Sequence, residues 1–229
     1  MVAAASRVPA IHALAFARPP ERAFMHTTRP HEFSRRHLLI AGGSLAALSL
    51  AACDKALPAR FNGIDITGAN YAQDFRLTDP DGRERTVADF KGKAVMLFFG
   101  FTQCPDVCPT ALLRAAEIRH MLGADGERLQ VIFVTVDPER DTPVVLKAYT
   151  NAFDPSFIGL YGDLQRTSET AKAFKAYYKK VPTGSSYTMD HSAFSYVYDP
   201  QGKIRLVLRH EQGAPECAED LRQILKTTA

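Results

Sequence analysis

Two stretches of the chain are apolar at nearly every position. Val95 to Phe99 and Val131 to Val136 are runs of strand length, rich in branched and aromatic side chains, and such runs predict strands covered on both faces. Gly100 breaks the first run. Between the two, Ala111, Ala115, Ile118 and Leu122 recur at helical spacing, which predicts a helix with one apolar face. Further on, Thr142 is placed to cap a helix with Pro143 in its first turn, running through Leu146, Tyr149 and Phe153. Ile158 to Tyr161 reads as a short strand and Thr167 to Tyr178 as a helix with Ala171, Phe174 and Tyr178 on one face. Two turns, Asp79-Pro-Asp-Gly82 and Asp199-Pro-Gln-Gly202, separate strand-like segments. They predict hairpins of Tyr71–Leu77 with Arg83–Val87 and of Ala193–Tyr198 with Ile204–Leu208. Lys180 to Ser186 reads as a loop, and Pro215 opens a last helix, Glu216 to Lys226. Strands alternating with helices, followed by a hairpin, predict an α/β sandwich with a mixed central sheet and an added hairpin.

The N-terminal quarter follows a different pattern. Ser34-Arg35-Arg36-His-Leu-Leu-Ile resembles a twin-arginine export motif, and an apolar run of 15 residues, Leu38 to Ala52, follows it. A membrane span needs about 20 residues, so the run is short for one. It ends in Leu50-Ala-Ala-Cys53, which resembles a lipobox, with Cys53 as the lipidated residue and Asp54 a signal for retention in the inner membrane. Residues 1–24 lie upstream of this pattern and are unlike a signal peptide, so Met25 is an alternative start. The expected organisation is an export leader over 1–53, a linker over 54–70 and a domain over 71–229. Charge divides at the same place. The first 53 residues carry a net +4 and the remainder a net −1, so the body offers no electrostatic basis for binding nucleic acid.

The chemistry lies just after the first apolar run, in Thr102-Gln-Cys104-Pro-Asp-Val-Cys108-Pro-Thr110. Pro105 keeps Cys104 out of helical conformation, and Pro109 suits a helix start with Cys108 at its edge. A strand, a cysteine pair and a helix in this order make the sandwich thioredoxin-like, and the positive end of the helix favours thiolate. Cysteines at i and i+4 lie about 6 Å apart in a near-helical turn. That separation allows a redox disulfide between Cys104 and Cys108 and equally a shared metal ion. Spacing does not choose between them. The body has three histidines. His120 lies about 18 Å along the helix from Cys108, and His210 ends a strand in a charged stretch. His191 remains, preceded by Asp190. Two thiolates and one imidazole suit Cu(I), whereas structural zinc takes four ligands. Cys217, in the apolar-periodic last helix, reads as a buried core residue.

Phe98-Phe-Gly-Phe-Thr-Gln-Cys104-Pro-Asp-Val-Cys108-Pro-Thr110, Val134-Thr-Val-Asp-Pro-Glu-Arg-Asp-Thr-Pro143 and Tyr187-Thr-Met-Asp-His191-Ser form three separated motifs, and together they resemble the Sco/SenC family of copper proteins. The resemblance covers about residues 60–210. It implies a thioredoxin-like fold tethered to the membrane on the periplasmic side, copper bound by Cys104, Cys108 and His191, and help in building the copper (CuA) centre of cytochrome c oxidase. It implies as partners the copper-site subunit of that oxidase and, as a further candidate, another periplasmic copper carrier. Cu(I) is the expected ion and Cu(II) a second one. Family members are usually held by an N-terminal membrane helix, so the lipobox is a departure in the mode of anchoring. Asp190 and Asp106 are expected beside the ligands, orienting His191 or attracting the ion. Asp137, Glu139, Arg140 and Asp141 read either as a docking surface near the copper or as a charged loop that caps the next helix.

Two function classes follow. A metallochaperone is a binding protein and not an enzyme. The alternative is a thiol-disulfide oxidoreductase that keeps the cysteines of the oxidase copper site reduced. Thioredoxin-type reductases are expected to carry a cis-proline facing the cysteines. No proline stands between Pro182 and Pro200, and His191 lies near that place, which favours the copper role. A peroxiredoxin is a third reading and ranks last, because Thr102-Gln-Cys104 does not match its Pro-x-x-x-Thr-x-x-Cys nucleophile pattern.

Overall fold

The structure is a computed structural model and describes residues 60–226. Arg35-Arg36, the apolar run and Cys53 lie outside the described residues. The two apolar runs form the centre of a six-stranded sheet. They are β4 (Ala94–Gly100) and β5 (Leu129–Thr135), paired in parallel along their whole length and buried at every position, as strands with both faces covered must be. β6 (Ile158–Leu160) continues the parallel half on one side. On the other side β9 (Ser195–Tyr198), β10 (Ile204–Leu208) and β1 (Ile64–Asp65) add antiparallel, giving the order β1-β10-β9-β4-β5-β6. The sheet is therefore mixed, as expected.

Helix α1 (Val107–Met121) links β4 to β5, and its buried residues include the predicted Ala111, Ala115 and Ile118. It packs against α4 (Ala214–Lys226). Between β5 and β6, α2 (Pro143–Asn151) starts where expected, with Thr142 Oγ1 accepting from Val145 N–H at 3.4 Å. Cys217 is fully buried in α4.

Four expectations need correction. Residues 54–70 are not linker throughout: β1 pairs with β10, and Asp220 of α4 accepts from the N–H groups of Asn62 and Gly63, both at 2.8 Å. The helix expected over Thr167–Tyr178 is α3 (Leu164–Ala173), because Asp163 caps it by accepting from Arg166 N–H at 2.7 Å and Lys175 takes a positive φ of 54° just past its end. The first predicted hairpin shortens to β2 (Leu77–Thr78) and β3 (Glu84–Arg85). The segment Lys180 to Ser186 is no loop. It belongs to a hairpin of β7 (Tyr178–Thr183) and β8 (Ser186–His191), which forms a two-stranded sheet of its own.

Candidate metal centre

β4 delivers the chain to the site and Gly100 permits the close approach found there. A Cβ built on Gly100 would lie 2.7 Å from Cys108 Sγ and 2.7 Å from a ring carbon of Phe133. The glycine is the last residue of the strand and not a break in it. The loop that follows is pinned from beneath by Asp141, which is 1% exposed. Its carboxylate accepts from Thr102 N–H (3.0 Å), Thr102 Oγ1 (2.6 Å) and Thr135 Oγ1 (2.6 Å). Burial raises the Asp141 pKa against the pull of these donors. Cys104 sits in this loop, half-buried, with its N–H bonded to Phe101 O at 3.2 Å. α1 begins at Val107 with Asp106 at its cap, so Cys108 occupies the first turn and Pro109 the third helical position rather than the first.

The two sulfurs are unequal. Cys108 N–H, at the helix N-terminus, donates to Cys104 Sγ at 3.4 Å. The Cys108 thiol does the same from its side chain, and together with the Asp106 N–H it holds the Cys104 pKa far below that of a free thiol, against the effect of burial. Cys108 is pushed the opposite way, first by the hydrogen bond it donates and then by burial. Cys104 is thus the thiolate of the pair and Cys108 the buried thiol.

His191 closes the site from the end of β8, 83 residues after Cys108. Its Nε2 lies 3.4 Å from Cys108 Sγ, and its Nδ1 lies 3.0 Å from Ser192 O. A carbonyl oxygen only accepts, so Nδ1 carries the proton and Nε2 turns its lone pair to the sulfurs. Phe98 and Phe101 hold the imidazole edge-on, at centroid distances of 5.9 and 5.8 Å. One ligand atom each from Cys104, Cys108 and His191 lies within 4.8 Å of the others, near enough to share one ion, and no other such group of three occurs among the described residues.

The other candidates lie elsewhere. His120 is exposed in the last turn of α1, and His210 follows β10. Asp106 and Asp190 are exposed near the ligands. Strand alternation turns Asp190 to the face opposite its neighbour His191, so the Ser192 carbonyl and not Asp190 orients the imidazole. Asp137 and Asp141 are 2% and 1% exposed, which removes them from any docking surface. Gly100, Asp141 and Ser192 were not expected to build the site. Gly100 alone had a visible signal, a glycine directly after a buried run and four residues before a cysteine.

The chain is 39% identical to a SCO2-like protein of Rickettsia felis over 170 residues, 72% of this chain and 82% of that one. It superposes on the structure of Bradyrhizobium japonicum ScoI with copper bound at 41% identity, covering 66% of this chain and 97% of that one with a TM-score of 0.61. BsSco, described as a member of the Sco family of cytochrome c oxidase assembly proteins with a disulfide switch, shares the fold at 23% identity over 71% of this chain and 98% of that one, TM-score 0.57. The fold is thioredoxin-like, as these relatives' is. Among the described residues no helix is long and apolar enough to cross a membrane. The SCO1/SenC family model matches residues 65–226, and the chain belongs to that family.

Proposed function

We propose that this chain is a copper metallochaperone that binds copper through Cys104, Cys108 and His191 and helps assemble the CuA centre of cytochrome c oxidase. The observation that supports this most is the convergence of two sulfurs and a lone-pair imidazole nitrogen within 4.8 Å, in a relative of the copper-bound ScoI. Two soft sulfurs and an imidazole suit Cu(I), and the imidazole also serves Cu(II). Copper is cargo here. Cys104 and His191 are half-exposed while Cys108 is buried, so an acceptor's ligands can replace the outer two before the inner one. The copper-site subunit of the oxidase is the acceptor in this reading, and another periplasmic copper carrier the donor. Residues 1–53 serve as the export leader, with lipid on Cys53 holding the domain at the periplasmic face of a bacterial inner membrane. The test is assembly in cells. Cells lacking the chain should lose the CuA absorption of their oxidase, and wild type but not His191→Ala should restore it. A complete CuA centre in cells lacking the chain would contradict the reading.

A second reading is favoured by the inequality of the sulfurs. A half-exposed thiolate beside a buried thiol is the arrangement of an attacking and a resolving cysteine. The Cys104 thiolate would attack a disulfide in the oxidase copper-site subunit and form a mixed disulfide, releasing one target thiolate. Cys108 would then displace the second, leaving Cys104–Cys108 oxidised and the target reduced by two electrons. Mixing the reduced chain with oxidised subunit and counting the subunit's thiols measures this step.

A further inference from the structure

The hairpin that carries His191 makes no ladder with the six-stranded sheet. At its root Ser192 N–H donates to Tyr177 O and Tyr177 N–H to Ser192 Oγ, both at 2.9 Å. Tyr187, Met189 and His191 share one face of β8 by alternation, and Met189 is buried against the body. Beyond the approach of His191 to Cys108, the hairpin's polar ties to the body come from the loop after β5. Arg140 Nη1 donates to Tyr187 O at 2.9 Å and to Gln103 Oε1 at 3.0 Å. The guanidinium lies 3.7 Å from the centre of the Tyr187 ring, and its Nε pairs with Asp137 at 2.5 Å. Tyr187 Oη donates to the same carboxylate at 2.8 Å. Lys180 on the facing strand pairs with Glu139 at 2.5 Å and lies 3.9 Å from the Tyr187 ring centre. Gln103 is the residue before Cys104.

We infer that Arg140 is a positioning residue for the third ligand, joining the hairpin that carries His191 to the loop that carries Cys104 and so setting the gap between imidazole and sulfurs. This rests on the copper reading above. Tyr187 lies four residues from His191, about 13 Å along the strand, while His191 stands beside the root. A tie at the far end of such a lever fixes its angle far more tightly than one near the pivot. Apolar contacts of Met189 and His191 alone resist sliding poorly, because they are not directional. Only a planar fork reaches two carbonyl oxygens on different segments while it stacks on a ring, so lysine does not replace Arg140. Arg140 is held in place although its Nη2 is buried without a partner, an arrangement that costs stability and that a merely solvated charge would avoid.

The test uses the full chain in two states. In the metal-free protein, amide hydrogen exchange over residues 178–191 should quicken in Arg140→Ala while exchange in β4 and β5 stays unchanged. Tyr187→Leu, which keeps apolar bulk but removes the ring and hydroxyl, should do the same and serves if Arg140→Ala fails to fold. In the copper-loaded protein, Arg140→Ala should weaken binding about 10- to 100-fold and weaken the nitrogen hyperfine signal of bound Cu(II). Arg140→Lys should not restore either. Adding Arg140→Ala to His191→Ala should produce no further loss, because the ligand that Arg140 positions is already absent. Unchanged exchange over 178–191 in both variants overturns the inference. So does a double variant whose affinity loss is the product of the single losses. A wild-type chain that takes up no copper overturns the copper reading and the ligand role together, while the exchange data report the clamp separately.

Discussion

Gly100 and the three described cysteines carry the chemistry at the scale of single residues. Alanine at Gly100 would bring a methyl within 2.7 Å of both the Cys108 sulfur and Phe133, a distance that forces one of them to move. Gly100→Ala should therefore lower stability by about 1–3 kcal/mol in denaturant titration, as overpacking of a close-packed core does, and should weaken copper binding. Unchanged stability would show that the sulfur is free to retreat. The cysteines differ in burial and charge, so they should differ in reactivity. Cys104 is held as thiolate, whereas burial pushes Cys217 up to about 11. Peptide mapping after brief alkylation of the reduced, metal-free native chain near pH 6 should find Cys104 modified first and Cys217 untouched. Modification of Cys108 or Cys217 before Cys104 would contradict the assignment of the thiolate. Cys104, Cys108 and His191 stand out in the sequence because sulfur and imidazole are few in the body and have defined metal chemistry. Asp141 does not stand out, since a carboxylate in a charged loop has the same letter whether it is solvated or buried under Thr102.

Elements followed the sequence where burial is complete and diverged where it is partial. β4 and β5 were readable because strands covered on both faces are apolar throughout. The β7–β8 hairpin was not, because a two-stranded ribbon lying on the body keeps polar residues on its outer face and tolerates Pro182 on a strand with only one neighbour. One signal was present. Gly184-Ser185 between strand-like segments is a two-residue turn pair, and Gly184 has φ +60°, as required at the first central position of a II′ turn. A β-branched residue cannot hold that φ without a cost of about 1–2 kcal/mol. Gly184→Val should thus loosen the hairpin, quicken exchange over 178–191 and reduce copper affinity while leaving β4 and β5 protected. Exchange equal to wild type would mean that the turn does not set the hairpin.

At the scale of the whole molecule, the sheet joins segments distant in sequence, and one buried group fastens its N-terminal edge. Asp220 is fully buried and accepts from Asn62 N–H and Gly63 N–H at 2.8 Å and from Asn62 Nδ2 at 3.1 Å. Asn62 is exposed and Gly63 partly buried, so removing Asp220 loses hydrogen bonds that contribute about 0.5–1.5 kcal/mol each. Asp220→Ala should lower the stability of the whole domain by a few such units and leave the order of cysteine alkylation unchanged. A changed order would mean that the latch is coupled to the metal site. The mixed sheet was readable from the order of elements, but β1 was not, since two exposed residues carry no pattern and their place is fixed only by the partners they meet.

The central claim is that two sulfurs and His191 together hold copper. The most direct measurement is copper retained per chain, with the absorption and hyperfine spectra of Cu(II), for wild type and five single variants at matched circular dichroism. The expected ranking places wild type, His120→Ala and His210→Ala together at the top. His191→Ala should fall below them, keeping a weaker dithiolate site for Cu(I), and Cys104→Ser and Cys108→Ser should be lowest. A His191→Ala chain that binds both oxidation states as wild type does, or a loss in His120→Ala or His210→Ala instead, would contradict the claim.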